Sequence, residues 1–420
     1  MADKLVRLGL GLVVWLWLAR SAGPEAFGSW NYAIAFAALF AALAGLGLDG
    51  IVQRELVAPD ADHDNLIGTA LALRLGASVL CAAACVIAAA LLRPNDKVVV
   101  ALVALNALAL VFQSGQVLDF HFQARLRARP AVLAVNAAYL VATVVRLWLL
   151  LSNASLLWMA ATLALEAALA SALLVLAYRG DGFKPSRWRA SMPMARRLVS
   201  ESWPLLASGL AVMIYMRIDQ VMLAMLGGDA QAGQFAAALR ISEVWYFIPG
   251  AVATAAFPVL LARRSQGTHS YERYLQNLYD STAWIGITTA VVLWLSAPQL
   301  IDLLYGAPYR EAVGVLQVQI WGGVAAAMSF VHGKWLLAEG LQRLGLYYTL
   351  IGCVVNVTLN VMLIPRYGAI GAAWSTLASQ LGVLPVQLLF PRGRRNFVLM
   401  LRSLWAPLRL LARLRETTRS

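Results

Sequence analysis

The sequence predicts an all-α polytopic membrane protein with twelve transmembrane helices in two six-helix bundles. Hydrophobic residues make up 61% and charged residues 13% of the 420-residue chain. The mean hydropathy is +0.70, which is too apolar for a soluble protein of this length. Apolar runs long enough to cross a hydrocarbon layer of about 30 Å recur along the whole chain.

Each crossing is predicted from one such run. In order, they lie at about residues 5–20, 27–48, 66–92, 98–120, 130–151, 154–178, 199–226, 231–261, 277–301, 311–338, 343–364 and 368–391. The first run is short for a crossing, so we expect that its true start lies upstream or that this helix is truncated. It is also followed by no small-x-small cleavage site, which argues against a cleaved signal peptide.

Basic residues in the loops predict the orientation. Loops on the side of the N-terminus hold most of the arginines, including Arg125, Arg127 and Arg129 and a run from Arg392 to Arg419. The opposite loops hold only Arg20, Arg93, Lys97, Arg310 and Arg366. By the positive-inside rule, both termini are cytoplasmic. The net charge of +13 is therefore a topology signal, and no nucleic-acid partner is predicted.

An internal repeat supports the division into halves. The stretch LARSAGPEAFGSWNYA, from Leu18 to Ala33, aligns without gaps with LAMLGGDAQAGQFAAA, from Leu223 to Ala238. The alignment pairs Gly23 with Gly228 and Gly28 with Gly233, and both copies occupy the outward turn of a hairpin. Two halves with an even number of helices have the same orientation.

This organisation gives four segments. We predict an N-terminal bundle at residues 1–178, a cytoplasmic inter-bundle loop at 179–198, a C-terminal bundle at 199–391 and a basic tail at 392–420. Arginines and a proline interrupt the tail, so we expect an amphipathic helix on the anionic inner leaflet.

Charged residues inside the predicted crossings are the candidate functional residues, because a charge in a membrane usually faces a partner or a water-filled cavity. The cations are Arg7, Arg74, Arg146, Arg217, Arg240 and Lys334, and the acids are Glu166, Asp219 and Glu243. Arg146 is close enough to the outer end of its helix to snorkel, and Lys334 lies near the inner end. The excess of cations favours an anionic substrate, since arginine matches phosphate oxygens well.

Helical geometry sharpens the expectation for four of these residues. Arg217 and Asp219 are separated by about 200° around their helix and face different ways, whereas Arg240 and Glu243 share a face. We hypothesise that Arg217 faces a cavity while Asp219 or Glu243 holds Arg240. The alternative is a buried ion network that only fixes the two helices.

Motifs for catalysis and cofactors are absent from the sequence. It contains no phosphate-binding glycine-lysine loop, no HExxH, no GxSxG and no Cys/His ligand set, so we predict neither an enzyme nor a metal or cofactor. The short outward loops disfavour a membrane-embedded glycan polymerase or ligase. His63, His121 and His269 are expected to be solvated in cytoplasmic loops.

Several stretches carry a family resemblance. They are LARSAGPEAFG, GLGLDGIVQREL, YMRIDQVML, AALRISEVWYFIP, WLLAEGLQR and NVTLNVMLIPRYGAIGAAWSTL. In this order the chain resembles the Wzx-type polysaccharide and O-antigen flippases, the polysaccharide transporter branch of the multidrug/oligosaccharidyl-lipid/polysaccharide exporter superfamily.

The resemblance implies a MATE-like fold with a V-shaped central cavity that opens alternately to either side. It implies export of an undecaprenyl-diphosphate-linked oligosaccharide across the bacterial inner membrane for O-antigen, capsule or exopolysaccharide assembly. A polymerase and a chain-length regulator are the expected protein partners. Substrate contacts are expected from Arg217, Arg240 and Arg74, and from Arg146, Arg7 and Lys334. Asp219, Glu243 and Glu166 are expected to pair with cations or to couple ions.

Two relatives of the same fold remain alternatives. An ion-coupled multidrug exporter is expected to have a net acidic cavity, and this chain has more deep cations than acids. A lipid II flippase is expected to carry two further C-terminal helices, which the basic, interrupted tail does not supply.

Overall fold

The computed structural model describes residues 2–58 and 62–406, except for the side chains of residues 2–6 and 8. All regular secondary structure in these ranges is helical. The helices are α1 (Ala2–Ala44), α2 (Asp49–Val57), α3 (His63–Leu92), α4 (Lys97–Gln113), α5 (Val117–Ala124), α6 (Arg129–Leu151), α7 (Leu156–Gly180), α8 (Met192–Leu226), α9 (Asp229–Ser265), α10 (Thr268–Leu304), α11 (Ala312–Glu339), α12 (Gln342–Val383) and α13 (Pro391–Leu404). Short 3-10 turns lie at Ser114–Gln116, Pro185–Arg187, Ala307–Tyr309 and Leu384–Leu389.

The helical surface is that of a membrane protein. Among the described residues, ten helical stretches are long and apolar enough to cross a bilayer. Large apolar side chains point outward along them, with Leu80 exposed by 73%, Leu91 by 77% and Leu303 by 70%. Such a surface is stable against lipid and not against water. The predicted all-α membrane fold is confirmed.

Helix α1 contains a reversal of the chain. Gly23 has a φ of 76° and a ψ of 170° and is followed by Pro24 within the helix. The ring centroids of Trp15 and Phe27, on either side of this glycine, are 5.4 Å apart. A straight helix would separate these residues by about 18 Å. The chain therefore turns back at Gly23, between the first two predicted crossings.

Helix α12 contains a second reversal. Gly368 has a φ of 56° and a ψ of −133°. A Cβ atom on Gly371 would lie 2.4 Å from the carbonyl oxygen of Leu363, a residue two helical turns earlier in the sequence. This close backbone approach is possible only if the chain folds back between them. The two reversals divide the ten stretches of the described chain into twelve segments, which match the predicted crossings.

The internal repeat has a structural counterpart. Gly228 precedes α9 with a φ of 89° and a ψ of 162°, close to the values of 76° and 170° at Gly23. A positive φ at both positions favours glycine, because an L side chain is strained there. Trp30 and Phe235, which the alignment pairs, are exposed by only 5% and 1%. The two turns therefore share a backbone conformation and a buried aromatic position.

The chain divides into two compact units, Met1–Ala224 and Met225–Ser420. Helix α8 belongs to the first unit through close contacts. A Cβ atom on Gly47 would lie 2.6 Å from the backbone nitrogen of Leu206, and Arg93 Nη2 donates to the carbonyl oxygen of Ala224 at 2.7 Å. The predicted boundary at residues 179–198 precedes α8, and the division into six and six helices stays a prediction.

One end of the first unit is a dense apolar core around α2, α5 and the adjacent ends of α3, α6 and α7. Its fully buried members include Leu48, Phe122 and Tyr178. His121 lies in this core with an exposure of 0%, so the expectation that it is solvated is wrong. The cause is α5, which continues the helix beyond the predicted crossing and packs the imidazole against Tyr178 and Phe183.

The beginning of the inter-bundle loop is tied to the same core. The side chain of Asp181 is only 6% exposed and lies 3.3 Å from His121 Nε2. It also accepts a hydrogen bond from Arg127 at 2.6 Å and lies 3.7 Å from Arg125. One carboxylate thus gathers three basic side chains and fixes the chain directly after α7.

The described part of the basic tail is α13, which packs on α10. Its buried residues, Gly393, Asn396, Met400 and Ser403, recur at helical spacing. The remainder of the predicted tail, residues 407–420, lies outside the described residues. Placement of the tail on the inner leaflet stays a prediction.

Candidate functional site

Three charged side chains meet inside the first unit. Arg146 Nη2 on α6 donates to Glu166 Oε2 on α7 at 2.6 Å. The other oxygen of Glu166 lies 3.8 Å from Arg7 Nη2 on α1. We call Arg7, Arg146 and Glu166 the N-terminal charge cluster. It brings together three of the nine residues that the sequence analysis singled out.

Helical spacing places the two partners of Arg146 on the same face of α7. Thr162 and Glu166 are four residues apart and share one face of α7, so Arg146 binds both. Arg146 Nε donates to Thr162 Oγ1 at 2.9 Å, and this hydroxyl in turn donates to the carbonyl oxygen of Met159 at 2.6 Å. The guanidinium is thereby held by two directed contacts, and its orientation is fixed.

Arg7 is held differently and is more accessible. Its guanidinium carbon lies 4.5 Å from the ring centroid of Tyr139, and Nη1 lies 3.4 Å from Asn136 Oδ1. The Tyr139 hydroxyl donates to the carbonyl oxygen of Arg7 at 2.8 Å. The Tyr139 hydroxyl comes this close to α1 next to Gly11, which has no side chain. A Cβ atom on Gly11 would lie 3.2 Å from the hydroxyl. The Arg7 side chain remains 35% exposed.

Arg146 does not snorkel, contrary to the expectation from its position near the end of α6. Its side chain is only 12% exposed and is bound to Glu166. Side chains on a helix tilt toward the N-terminus, which here directs Arg146 away from the nearer helix end. Glu166 lies ten residues into α7, about 15 Å from its start. A half-buried acceptor at that depth outcompetes the membrane surface.

The cluster has a net positive charge, since two guanidinium groups share one carboxylate. Arg146 uses Nε and one Nη2 hydrogen on the protein, and Arg7 has only longer polar contacts. Counting the partners among the described side chains, several guanidinium donors remain for an anion. Charge-assisted hydrogen bonds of this kind are strong where water is scarce.

Arg74 has a different setting in the first unit. Its side chain is 12% exposed, and Nη1 lies 3.4 Å from Asp49 Oδ1 at the start of α2. The guanidinium carbon is 5.6 Å from the ring centroid of Phe120. Arg74 therefore lies in an ion pair next to the apolar core. Its contact with substrate stays a prediction.

The four charged residues whose helical faces the sequence analysis compared occupy two helices, and we describe each helix within its own unit. On α8 in the first unit, Asp219 is buried at 5% exposure and Arg217 is half-buried, so they face different ways as predicted. On α9 in the second unit, Arg240 Nη1 lies 3.7 Å from Glu243 Oε2. Glu243 thus holds Arg240, one of the two pairings that the sequence left open.

Lys334 has an aromatic neighbour within the second unit. It is half-buried on α11, and its Nζ lies 5.5 Å from the ring centroid of Phe257 on α9. This is a cation–π distance within the second unit.

Sequence reasoning missed a further cluster, which we call the charge ring. It consists of Arg54 and Glu55 on α2 with Arg197 and Glu201 on α8. Arg54 bonds to Glu201 and, at 3.0 Å, to Glu55. Arg197 lies 2.9 Å from Glu55 and 3.1 Å from Glu201. The signal was present in the stretch GLGLDGIVQREL, whose charged residues all pair with other helices.

Comparisons with known sequences bear on the family of the chain. The profile of the family described as "Polysaccharide biosynthesis protein" matches residues 2–263, and the MatE profile matches residues 204–362. A curated relative is the "Probable low-salt glycan biosynthesis flippase Agl15" of Haloferax volcanii, 23% identical over 212 residues. The match covers 50% of this chain and 45% of that protein, so the chain spans less than half the length of this relative.

Solved structures show the fold. The lipid II flippase MurJ, in an inward closed conformation, is similar with a TM-score of 0.72 at 14% identity, covering 96% of this chain and 90% of that chain. An inward-facing multidrug resistance MATE transporter of the MOP superfamily has a TM-score of 0.71 at 17% identity, covering 94% and 96%. These likenesses confirm the MATE-like fold. Because the first family profile extends over more than half of the residues, the chain belongs to the polysaccharide biosynthesis protein family.

Proposed function

We propose that this protein is a flippase that moves an undecaprenyl-diphosphate-linked oligosaccharide from the inner to the outer leaflet by alternating access. The membrane is the bacterial inner membrane with both termini cytoplasmic, and the product feeds O-antigen, capsule or exopolysaccharide assembly. Family membership and the similarity to the probable glycan biosynthesis flippase Agl15 support the lipid-linked glycan as substrate. A polymerase and a chain-length regulator are the partners that this role requires.

The observation that carries the proposal is the N-terminal charge cluster. Its two arginines share the single carboxylate of Glu166, at 2.6 Å and 3.8 Å, within helices that cross the membrane. A diphosphate carries the opposite charge and several acceptor oxygens, which suit the remaining guanidinium donors.

The three residues of the cluster have different roles in this proposal. Arg7, the more exposed arginine, contacts the diphosphate or an acidic sugar. Arg146 contributes positive charge and positions Glu166, and Glu166 limits the charge when the substrate is absent. Arg217, Arg240, Arg74 and Lys334 are further proposed contacts, with Asp219 and Glu243 as pairing or ion-coupling acids.

Everted membrane vesicles loaded with lipid-linked oligosaccharide test the proposal. Arg7→Ala should lower the initial rate of glycan translocation about tenfold, as expected for the loss of one charge-assisted contact. Arg129→Ala is the matched control, because Arg129 is an exposed arginine at the start of α6. Normal translocation by the Arg7 variant, at normal protein level, would contradict the assigned role.

A second candidate is an ion-coupled multidrug exporter, which the MatE match at residues 204–362 and the MATE-like fold favour. A deletion strain separates the two functions. Loss of surface glycan with intact oligosaccharide-lipid retained on the cytoplasmic face supports the flippase. Unchanged surface glycan with increased drug sensitivity supports the exporter.

A further inference from the structure

A cavity of about 360 Å³ opens at one end of the second unit, where α9 ends, α10 begins and α11 ends. By the predicted orientation this is the cytoplasmic end. The start of α13 completes the wall. The residues that matter here are Arg264, Tyr271, Trp335, Arg392, Arg395 and Asn396.

Specific hydrogen bonds hold α13 in this wall. Asn396 accepts from the Tyr279 hydroxyl at 3.0 Å, and its amide nitrogen lies 2.9 Å from His332 Nδ1. Two turns later, Trp284 Nε1 donates to the carbonyl oxygen of Ser403 at 3.0 Å. Because Asn396 is 1% exposed, these contacts are shielded from water. The cavity is therefore built by a docked helix.

The charges around the cavity leave an excess of one cation. Arg395 lies 3.1 Å from Glu272, and Arg264 lies 3.5 Å from Glu339. Within the part of the chain that the structure describes, no ion pair is found for the third arginine, Arg392. Arginine is the side chain best suited to phosphate, and its planar group offers several donors.

The exposed surface of α13 indicates which kind of anion would bind at the cavity. Beyond the cavity, Val398, Leu401, Leu404 and Trp405 are exposed by 38% to 63%. Together with the arginines of its first turns, these residues make a helix that suits the boundary between headgroups and acyl chains. A phosphate at this cavity would therefore carry acyl chains that cover the apolar residues.

We propose that this cavity binds the phosphate headgroup of an anionic phospholipid of the cytoplasmic leaflet. Arg392 and Arg395 contact the phosphate, Trp335 lines the cavity beside it, and the acyl chains lie along the apolar residues of α13. This site is separate from the N-terminal charge cluster, and the inference holds whichever substrate the protein transports.

Native mass spectrometry of the full-length protein, released from nanodiscs, tests the site. In discs that mix phosphatidylglycerol with phosphatidylcholine, we expect retained phosphatidylglycerol on the unaltered protein. Arg392→Ala should weaken this retention about tenfold, the loss of one charge-assisted contact. Arg343→Ala is the control, because Arg343 is an exposed arginine of the same unit that does not line the cavity. Equal loss of retained phosphatidylglycerol in both variants would show that general surface charge causes the retention, and this would overturn the proposal.

A second variant moves the result in the opposite direction. Glu272→Gln removes the carboxylate that holds Arg395 and frees this guanidinium for phosphate. We expect tighter retention of phosphatidylglycerol, which a general loss of folding cannot produce. Unchanged or weaker retention in a folded Glu272→Gln protein would count against a site at this cavity.

The source of the phosphate is tested with inorganic phosphate in discs of phosphatidylcholine alone. We expect weak protection of the protein against thermal unfolding, because inorganic phosphate has no acyl chains to pack on α13. Protection by inorganic phosphate equal to that by phosphatidylglycerol would overturn the assignment to a lipid.

Discussion

Glu166 accepts a hydrogen bond from Arg146 at 2.6 Å and places its second carboxylate oxygen 3.8 Å from Arg7. One acid therefore connects a firmly held arginine with a more exposed one. Removing Glu166 leaves two arginines without their shared counter-charge, whereas removing either arginine leaves a neutral pair. The variants below separate the part of this arrangement that stabilises the fold from the part that binds an anion.

Glu166→Ala should destabilise the first unit, because Arg146 is 12% exposed and loses its nearest counter-charge. We expect a loss of about 2 kcal/mol in unfolding free energy, between the values typical of exposed and of buried pairs, because this pair is partly buried. Glu166→Gln keeps a hydrogen-bond acceptor and should lose less. Denaturation in detergent measures both, and equal loss in the two variants would show that the carboxylate charge is unimportant.

Arg146→Lys tests the fixed orientation of the guanidinium. Lysine keeps the charge but cannot bond to Thr162 and Glu166 in the same planar geometry. We expect glycan translocation in vesicles to fall by about tenfold while the protein stays folded, the loss of one directed contact. Arg7→Lys is the comparison and should lose less, since Arg7 makes longer polar contacts. The reverse order of effects would contradict the assigned roles.

Gly47→Ala should disrupt the packing of α8 on the end of α1. The residue has a φ of 64°, and a Cβ atom would lie 2.6 Å from Leu206 N. Strain and overlap together should cost at least about 2 kcal/mol of unfolding free energy. Gly50→Ala provides the control, because nothing lies within 4 Å of its added Cβ. In the thermal unfolding of the two variants, only Gly47→Ala should show a lower midpoint.

Asp181→Asn should loosen the beginning of the inter-bundle loop. The substitution removes the negative charge that Arg125, Arg127 and His121 share. We expect faster trypsin cleavage between residues 179 and 198, followed by mass spectrometry of the fragments. Asp119→Asn is the matched change, since Asp119 accepts a hydrogen bond from Gln123 one turn away and has no ion pair among the residues that the structure describes. A cleavage rate as slow as that of the unaltered protein would show that the apolar core alone fixes this segment.

Charge reversal tests the charge ring. Arg54→Glu places three acids around Arg197, and Glu201→Arg places three cations around Glu55, so each should lower the midpoint of thermal unfolding at low salt. The double reversal restores opposite charges at positions 54 and 201 and keeps the pair of Arg197 with Glu55, but it leaves like charges at 54 and 55 and at 197 and 201, so it should recover only part of the midpoint. In 1 M salt the single variants should approach the unaltered protein, because exposed pairs are screened over about 3 Å. A double variant as unstable as the sum of the single ones would exclude direct pairing.

Local patterns explain what could be predicted from the sequence. Apolar length indicates a crossing, and glycine at an outward turn indicates a reversal, so Gly23 and Gly228 were informative without tertiary contacts. The pair Arg240 and Glu243 was likewise predictable, because its spacing places both side chains on one face of a single helix.

Contacts between helices explain what could not be predicted. The depth of Arg146 suggested snorkelling, and only the arrangement of α6 against α7 brings it to Glu166. His121 is buried by Tyr178 of α7 and by Phe183 of the loop that follows it. Helix α13 docks through Gly393, Asn396 and Ser403, which do not form an apolar stripe. In each case the decisive partner is remote in sequence.

The reversal within α12 has a consequence for biogenesis. From Gln342 to Val383 the chain has no polar loop, and Arg366, next to the turn, is the only charged side chain between Arg343 and Arg392. The insertion machinery therefore receives two crossings as one continuous apolar segment. The segment bends at Gly368, and we expect the pair to enter the bilayer together as a hairpin. In this part of the protein, a glycine turn instead of a charged loop thus marks the boundary between two crossings.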